Sequence, residues 1–128
     1  MSVNYVALTL VVKRARPFNM RPDPGTYLCA VKDVPYGKAK GVSLPLHPVE
    51  THNSFEVIIW HHHDGIRAFE NKCPHLGTPL ETFPDRFLNA EASALNCSTH
   101  GALFDKTGHC FAGPCLNKSL PTLAIKIT

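Results

Sequence analysis

Six short apolar or β-branched runs, none helical in period and each ended by proline, glycine or a polar loop, constrain what this chain can build. They cover residues 3–12, 27–31, 40–44, 55–60, 66–70 and 123–127, and runs of this length between turn formers read as strands. Between them RPDPG (21–25), LHPVETHNS (46–54) and KTGH (106–109) have loop chemistry, with proline fixing φ or glycine supplying φ > 0. Only residues 80–83 suggest a turn of helix. With 128 residues, 11 prolines and 8 glycines, the expected architecture is all-β, a small antiparallel β-sandwich or barrel. One domain is expected over residues 1–128, with residues 1–26 as an N-terminal extension or extra edge strand.

One hairpin can be placed from sequence. FEVIIW, then HHHDG, then IRAFE reads as two strands joined by a tight turn at Asp64-Gly65. Side chains alternate along an extended chain, so His61 and His63 are expected to share a face without His62. The histidine triplet is therefore read as an exposed hairpin tip rather than a metal site, because it lacks the thiolate or carboxylate partners of a closed site.

The apolar start at residues 3–12 is about half of what a membrane-spanning helix needs, and its basic KRAR follows it instead of preceding it, unlike an export signal. Five cysteines, an odd count without such a signal, point to a reducing cytoplasm, where thiols serve as ligands or stay free. The net charge is +3, but the lysines are scattered without an aromatic-lined basic face, so neither nucleic acid nor membrane is expected as a partner.

The chemistry concentrates in CPHLGTPL (73–80) and CSTHGALFD (97–105). Each supplies one thiolate and one imidazole at close spacing, Cys73 with His75 and Cys97 with His100, so two loops can converge on one centre. A structural zinc accepts Cys₂His₂, but usually with the cysteines paired in one element and the histidines in another. A [2Fe–2S] cluster with two cysteines on one iron and two histidines on the other suits mixed loops better.

These motifs, with TGHCFAGPC (107–115) after them, resemble the Rieske [2Fe–2S] proteins, and the chain is similar to the small soluble Rieske ferredoxins over most of residues 27–127. The resemblance implies that Cys73 and Cys97 bind the inner iron, that His75 and His100 bind the outer one, and that Gly113-Pro114 belongs to a loop covering the cluster. Ser98 stands where many relatives have proline, and the interval from His75 to Cys97 is longer than in compact ferredoxins. Respiratory relatives pair an extra cysteine in each ligand loop; those places correspond to about Thr78 and Ser98, so that bridge is not expected. Cys110 and Cys115, with four residues between them, are read as two free thiols, with a small disulfide across FAGP as the alternative. Cys29 is expected to be a buried apolar residue, and His47, His52 and His109 ordinary loop residues.

The resemblance also implies a role. Histidine ligation raises the potential into a range of roughly −150 to +300 mV. High-potential relatives place serine and tyrosine hydroxyls just after the second histidine, whereas this chain has Ala102 and Phe104, which predicts the lower part of that range. No GxSxG, HExxH or phosphate-cradling loop is present. The expected function is electron transfer from a flavin-dependent reductase to a terminal enzyme such as an oxygenase. The alternative is a small subunit or regulatory module of a larger redox enzyme such as nitrite reductase.

Overall fold

The computed structural model describes residues 7–11, 26–45, 54–74, 79–81, 85–97 and 101–127. Among the described residues, nine strands and one 3₁₀ turn follow in order: β1 (Ala7–Val11), β2 (Tyr27–Ala30), the turn at Val31–Asp33, β3 (Ala39–Pro45), β4 (Ser54–His62), β5 (Gly65–Glu70), β6 (Leu95–Asn96), β7 (Leu103–Phe104), β8 (Cys110–Ala112) and β9 (Thr122–Ile127). Every strand pairing is antiparallel. The six longer strands make one sheet in the order β2-β1-β9-β5-β4-β3, and the three short ones make a second in the order β6-β7-β8. The expected all-β antiparallel architecture is what forms. Strand β1 lies between β2 and β9 rather than at an edge. Leu80 and Glu81 are not helical, and residues 82–84 lie outside the described residues.

Strand β4 organises the interior. Its run Val57, Ile58, Ile59, Trp60 is wholly buried, which happens when both faces of a strand are covered. The period of two then divides it. Ile58 and Trp60 join one core with Phe69, Leu80, Phe87, Leu95, Phe104 and four of the cysteines. Val57 and Ile59 join another with Leu28, Val34, Leu44, Phe55, Ala68 and Leu123. Each fully buried aliphatic or aromatic side chain contributes roughly 1.5–3 kcal/mol of transfer free energy, so β4 serves both cores at once. Cys29 is 5% exposed within the second, the apolar placement its sequence context implied.

The hairpin forms one residue earlier than expected. His62 pairs with Gly65, so the two-residue turn is His63-Asp64 and Gly65, at φ 138°, opens β5. Because His63 has left the strand, alternation no longer separates it from its neighbour: the His62 and His63 rings lie 4.0 Å apart between centroids. His61 instead donates from Nδ1 to the Val34 carbonyl at 2.8 Å and meets Tyr36 edge-on.

Candidate iron–sulfur site

The two cysteines singled out by sequence arrive from different kinds of loop and meet in one core. Cys73 and Cys97 are both 0% exposed and share the cluster that contains Trp60, Leu80, Ala102 and Phe104. The partner histidines, His75 and His100, lie outside the described residues, as do Thr78, Ser98, His47 and His52.

The second loop is the tip of a β-hairpin. Leu95 pairs with Phe104 and Asn96 with Leu103; the Cys97 N–H then donates to the Ala102 carbonyl at 2.8 Å, and the Gly101 N–H donates back to the Cys97 carbonyl at 2.8 Å. Gly101 takes φ 75°, a conformation that glycine adopts without strain. Ala102 and Phe104 are fully buried, so the positions after the second histidine offer hydrocarbon to the interior.

The first loop joins β5 to the small sheet and is fastened by a residue that sequence reasoning passed over. Asn71 is 6% exposed, the buried polar side chain of the described residues. Its Oδ1 accepts from the Leu80 N–H at 2.7 Å and its Nδ2 donates to Glu81 at 2.8 Å. Its own N–H donates to the Glu56 carbonyl on β4 at 2.8 Å. One amide therefore holds both ends of the segment carrying Cys73 against the large sheet. A buried amide satisfied on both its oxygen and its nitrogen rigidifies what it joins.

Residues 110–118 pack on Gly101 and Ala102 of the second loop. Cys110 donates its N–H to the Lys118 carbonyl at 2.8 Å and accepts at its own carbonyl from the Asn117 N–H at 3.0 Å, closing a second hairpin-like turn. Gly113, at φ 96°, sits so close to the second ligand loop that a Cβ there would lie 2.7 Å from the Ala102 Cα. Cys110 and Cys115 are free, buried thiols. Burial first, then the neighbouring Cys110 and Cys73, push the Cys115 thiol up to about 12, so it stays protonated at ordinary pH. Phe111 and Leu116 are 48% and 54% exposed on the outer side of this turn.

At the histidine triplet, His62, His63 and Asp64 bring three ligand atoms within 4.8 Å of one another, alone in doing so among the described residues. The Asp64 carboxylate is already engaged: Lys106 Nζ donates to it at 2.5 Å and His62 Nδ1 at 2.7 Å. Lys106 foremost, then His62, hold this carboxyl well below the usual carboxylate range. The trio thus acts as a bolt between the β4–β5 hairpin and the turn after β7. In that turn Asp105 Oδ1 accepts from the Thr107 N–H at 2.9 Å, the Thr107 hydroxyl at 2.6 Å and the His109 N–H at 3.1 Å.

Two thiols delivered into one closed, apolar interior by separate loops suit a cofactor held by soft thiolate ligands. The Rieske [2Fe-2S] domain family matches residues 26–125. The chain belongs to that family, and its cofactor is a [2Fe–2S] cluster. Among solved structures it is similar to the ferredoxin of carbazole 1,9a-dioxygenase from Nocardioides aromaticivorans IC177, at 21% identity and a TM-score of 0.52, over 74% of this chain and 81% of that one; this likeness concerns the fold. No curated protein matches the chain. Strand β1 precedes the span that the family covers.

Proposed function

We propose that the chain, as one Rieske domain over residues 1–128, is a one-electron carrier that receives electrons from a flavin-dependent reductase and delivers them to a terminal enzyme, an oxygenase by preference. Cys73 and Cys97 hold the inner iron, and His75 and His100 the outer one. The observation that carries this reading is the convergence of Cys73 and Cys97, both fully buried, in one core from two loops that each place a histidine two or three residues further on. When bound, the cluster supplies one-electron exchange at a potential raised by its imidazole ligands.

The protein's own residues perform the rest. Leu80, Ala102 and Phe104 exclude water from the inner thiolates, while Asn71 and the Cys97–Ala102 hydrogen bond fix the two loops at the spacing they need. Among the described residues no helix is long and apolar enough to cross a membrane. Cys29, Cys73, Cys110 and Cys115 are free thiols, which supports a reducing cytoplasm as the working compartment. The partners in this reading are redox proteins, with no nucleic acid and no membrane.

Anaerobically purified protein is expected to be coloured, to contain acid-labile sulfide and to give a Rieske-type electron paramagnetic resonance signal on reduction. His100→Ala is expected to abolish that signal. Protein without labile sulfide, or with zinc in its place, would overturn the assignment. A stable complex on co-purification, instead of rapid turnover with a separate reductase, would move the role to that of a subunit in a larger redox enzyme.

A further inference from the structure

The one-residue shift of the β4–β5 turn brings together side chains that strand alternation would have kept apart. With His63 in the turn, its ring lies 4.0 Å from that of His62 between centroids, and the Asp64 carboxylate stands beside both. One ligand atom from each of these three residues lies within 4.8 Å of the other two. Donor atoms that share a zinc ion, each about 2.0–2.2 Å from it, are roughly 3.3 Å apart in a tetrahedron. A small rotation of the exposed His63 ring therefore closes the set. His62 is already held: its side chain is 12% exposed and meets the buried Trp60 edge-on, with centroids 4.9 Å apart. Its Nδ1 lies 2.7 Å from Asp64 Oδ1. Lys106 engages the other carboxylate oxygen, Oδ2, with Arg67 at 4.0 Å from it, so Oδ1 is the oxygen turned toward the imidazoles. The side chains of Lys106 and Arg67 are 43% and 41% exposed; both can turn into water when a further cation arrives, because exposed ion pairs hold them weakly. Two imidazoles and one carboxylate suit transition-metal ions of borderline softness, whereas magnesium and calcium want oxygen throughout.

We propose that His62, His63 and Asp64 form a binding site for one divalent transition-metal ion of zinc's class, at the opposite end of β5 from Cys73. The ion takes the place of the proton between His62 Nδ1 and Asp64 Oδ1, the neutral imidazole keeping its proton on Nε2, and a ring nitrogen of His63 is the third ligand. The fourth position goes to water, the open coordination that zinc keeps when three protein groups bind it.

The test is calorimetric titration of the oxidised holoprotein with zinc, with acid-labile sulfide assayed before and after so that exchange at the cluster is not counted. The wild type is expected to take one zinc per chain and to ignore magnesium. His63→Ala and Asp64→Asn are each expected to weaken zinc binding roughly tenfold or more, since even the partners of metal ligands are commonly worth that much. His61→Ala is expected to leave it unchanged, because the His61 Nδ1 is committed to the Val34 carbonyl. Copper(II) gives a second readout, as the oxidised cluster is diamagnetic: its paramagnetic spectrum is expected to show coupling to two nitrogens in the wild type and to one in His63→Ala. Should Asp64→Asn unfold the hairpin, His63→Ala and the copper spectrum decide. Zinc binding that survives His63→Ala, that falls equally in His61→Ala, or that magnesium matches overturns the proposal, the second outcome leaving only an adventitious chelate by neighbouring imidazoles. None of these outcomes touches the electron-carrier reading, which fails separately if labile sulfide is absent.

Discussion

The two faces of β4 look onto interiors of equal burial and opposite chemistry. On the Val57 and Ile59 side the core is almost wholly hydrocarbon, and its one thiol, Cys29, sits among aliphatic side chains. On the Ile58 and Trp60 side the core contains four thiols, at Cys73, Cys97, Cys110 and Cys115. Burial alone therefore does not mark the cysteines proposed as iron ligands; Cys29 is buried too, and its thiol is pushed up by desolvation and by nearby Asp33. What separates the two sides is the manner of delivery. Cys29 comes from a regular strand, β2, whereas Cys73 and Cys97 come from turns whose backbones are tied down by Asn71, Ala102 and Gly101.

The sharpest break of this contrast is Cys97→Ala against Cys29→Ala. The first is expected to abolish the visible chromophore and labile sulfide outright; the second is expected to keep both and to cost on the order of 1 kcal/mol in denaturant unfolding. Next comes Phe104→Ala against Ile59→Ala, on opposite sides of β4. Each removes a large buried side chain and costs about 2–5 kcal/mol, but only Phe104→Ala is expected to reduce cluster occupancy, measured as sulfide per chain. Asn71→Ala leaves the Leu80 N–H without its acceptor and costs about 1–3 kcal/mol. Its expected signature is slower cluster reconstitution, followed by absorbance, at a denaturation midpoint still above room temperature.

The smallest effect belongs to Asp64. Its carboxyl lies below the usual range because Lys106 and His62 hydrogen-bond to it. A depressed folded-state value stabilises the fold above the unfolded-state value, about 3.9, and that contribution is lost as pH falls through the folded value. Urea midpoints of wild type and Asp64→Asn are therefore expected to differ near neutrality and to converge in strong acid. Added salt is expected to shrink the difference as well. A gap that persisted at the acid end would show that packing, not charge, ties the hairpin tip to the turn after β7.

Which parts of this were legible in sequence follows from how far each signal reaches. Strand β4 announced itself through an unbroken apolar run, and β3, β5 and β9 through similar stretches, because a strand of six or more residues has room to display its pattern. Strands β6 and β7, of two residues each, have no period to read, although together they build the hairpin that presents Cys97. The β4–β5 turn was displaced by one residue because Gly65, at φ 138°, takes the position just after the turn, opposite His62, instead of a central turn position. The cysteines could be singled out because their spacing to histidine is local. Asn71 could not, since it acts through Glu56, Leu80 and Glu81, nine or more residues away in the chain, which no local pattern encodes.

The backbone seating of Gly113 on Ala102 carries a further consequence. With no side chain between the two segments, the covering turn packs directly on the residue that accepts the Cys97 N–H. Opening of one is therefore expected to expose the other. Amide hydrogens at Cys97 and Cys110 are then expected to exchange with deuterium through a shared opening. On the proposed ligand assignment, whatever loosens the lid also loosens the grip on the metal.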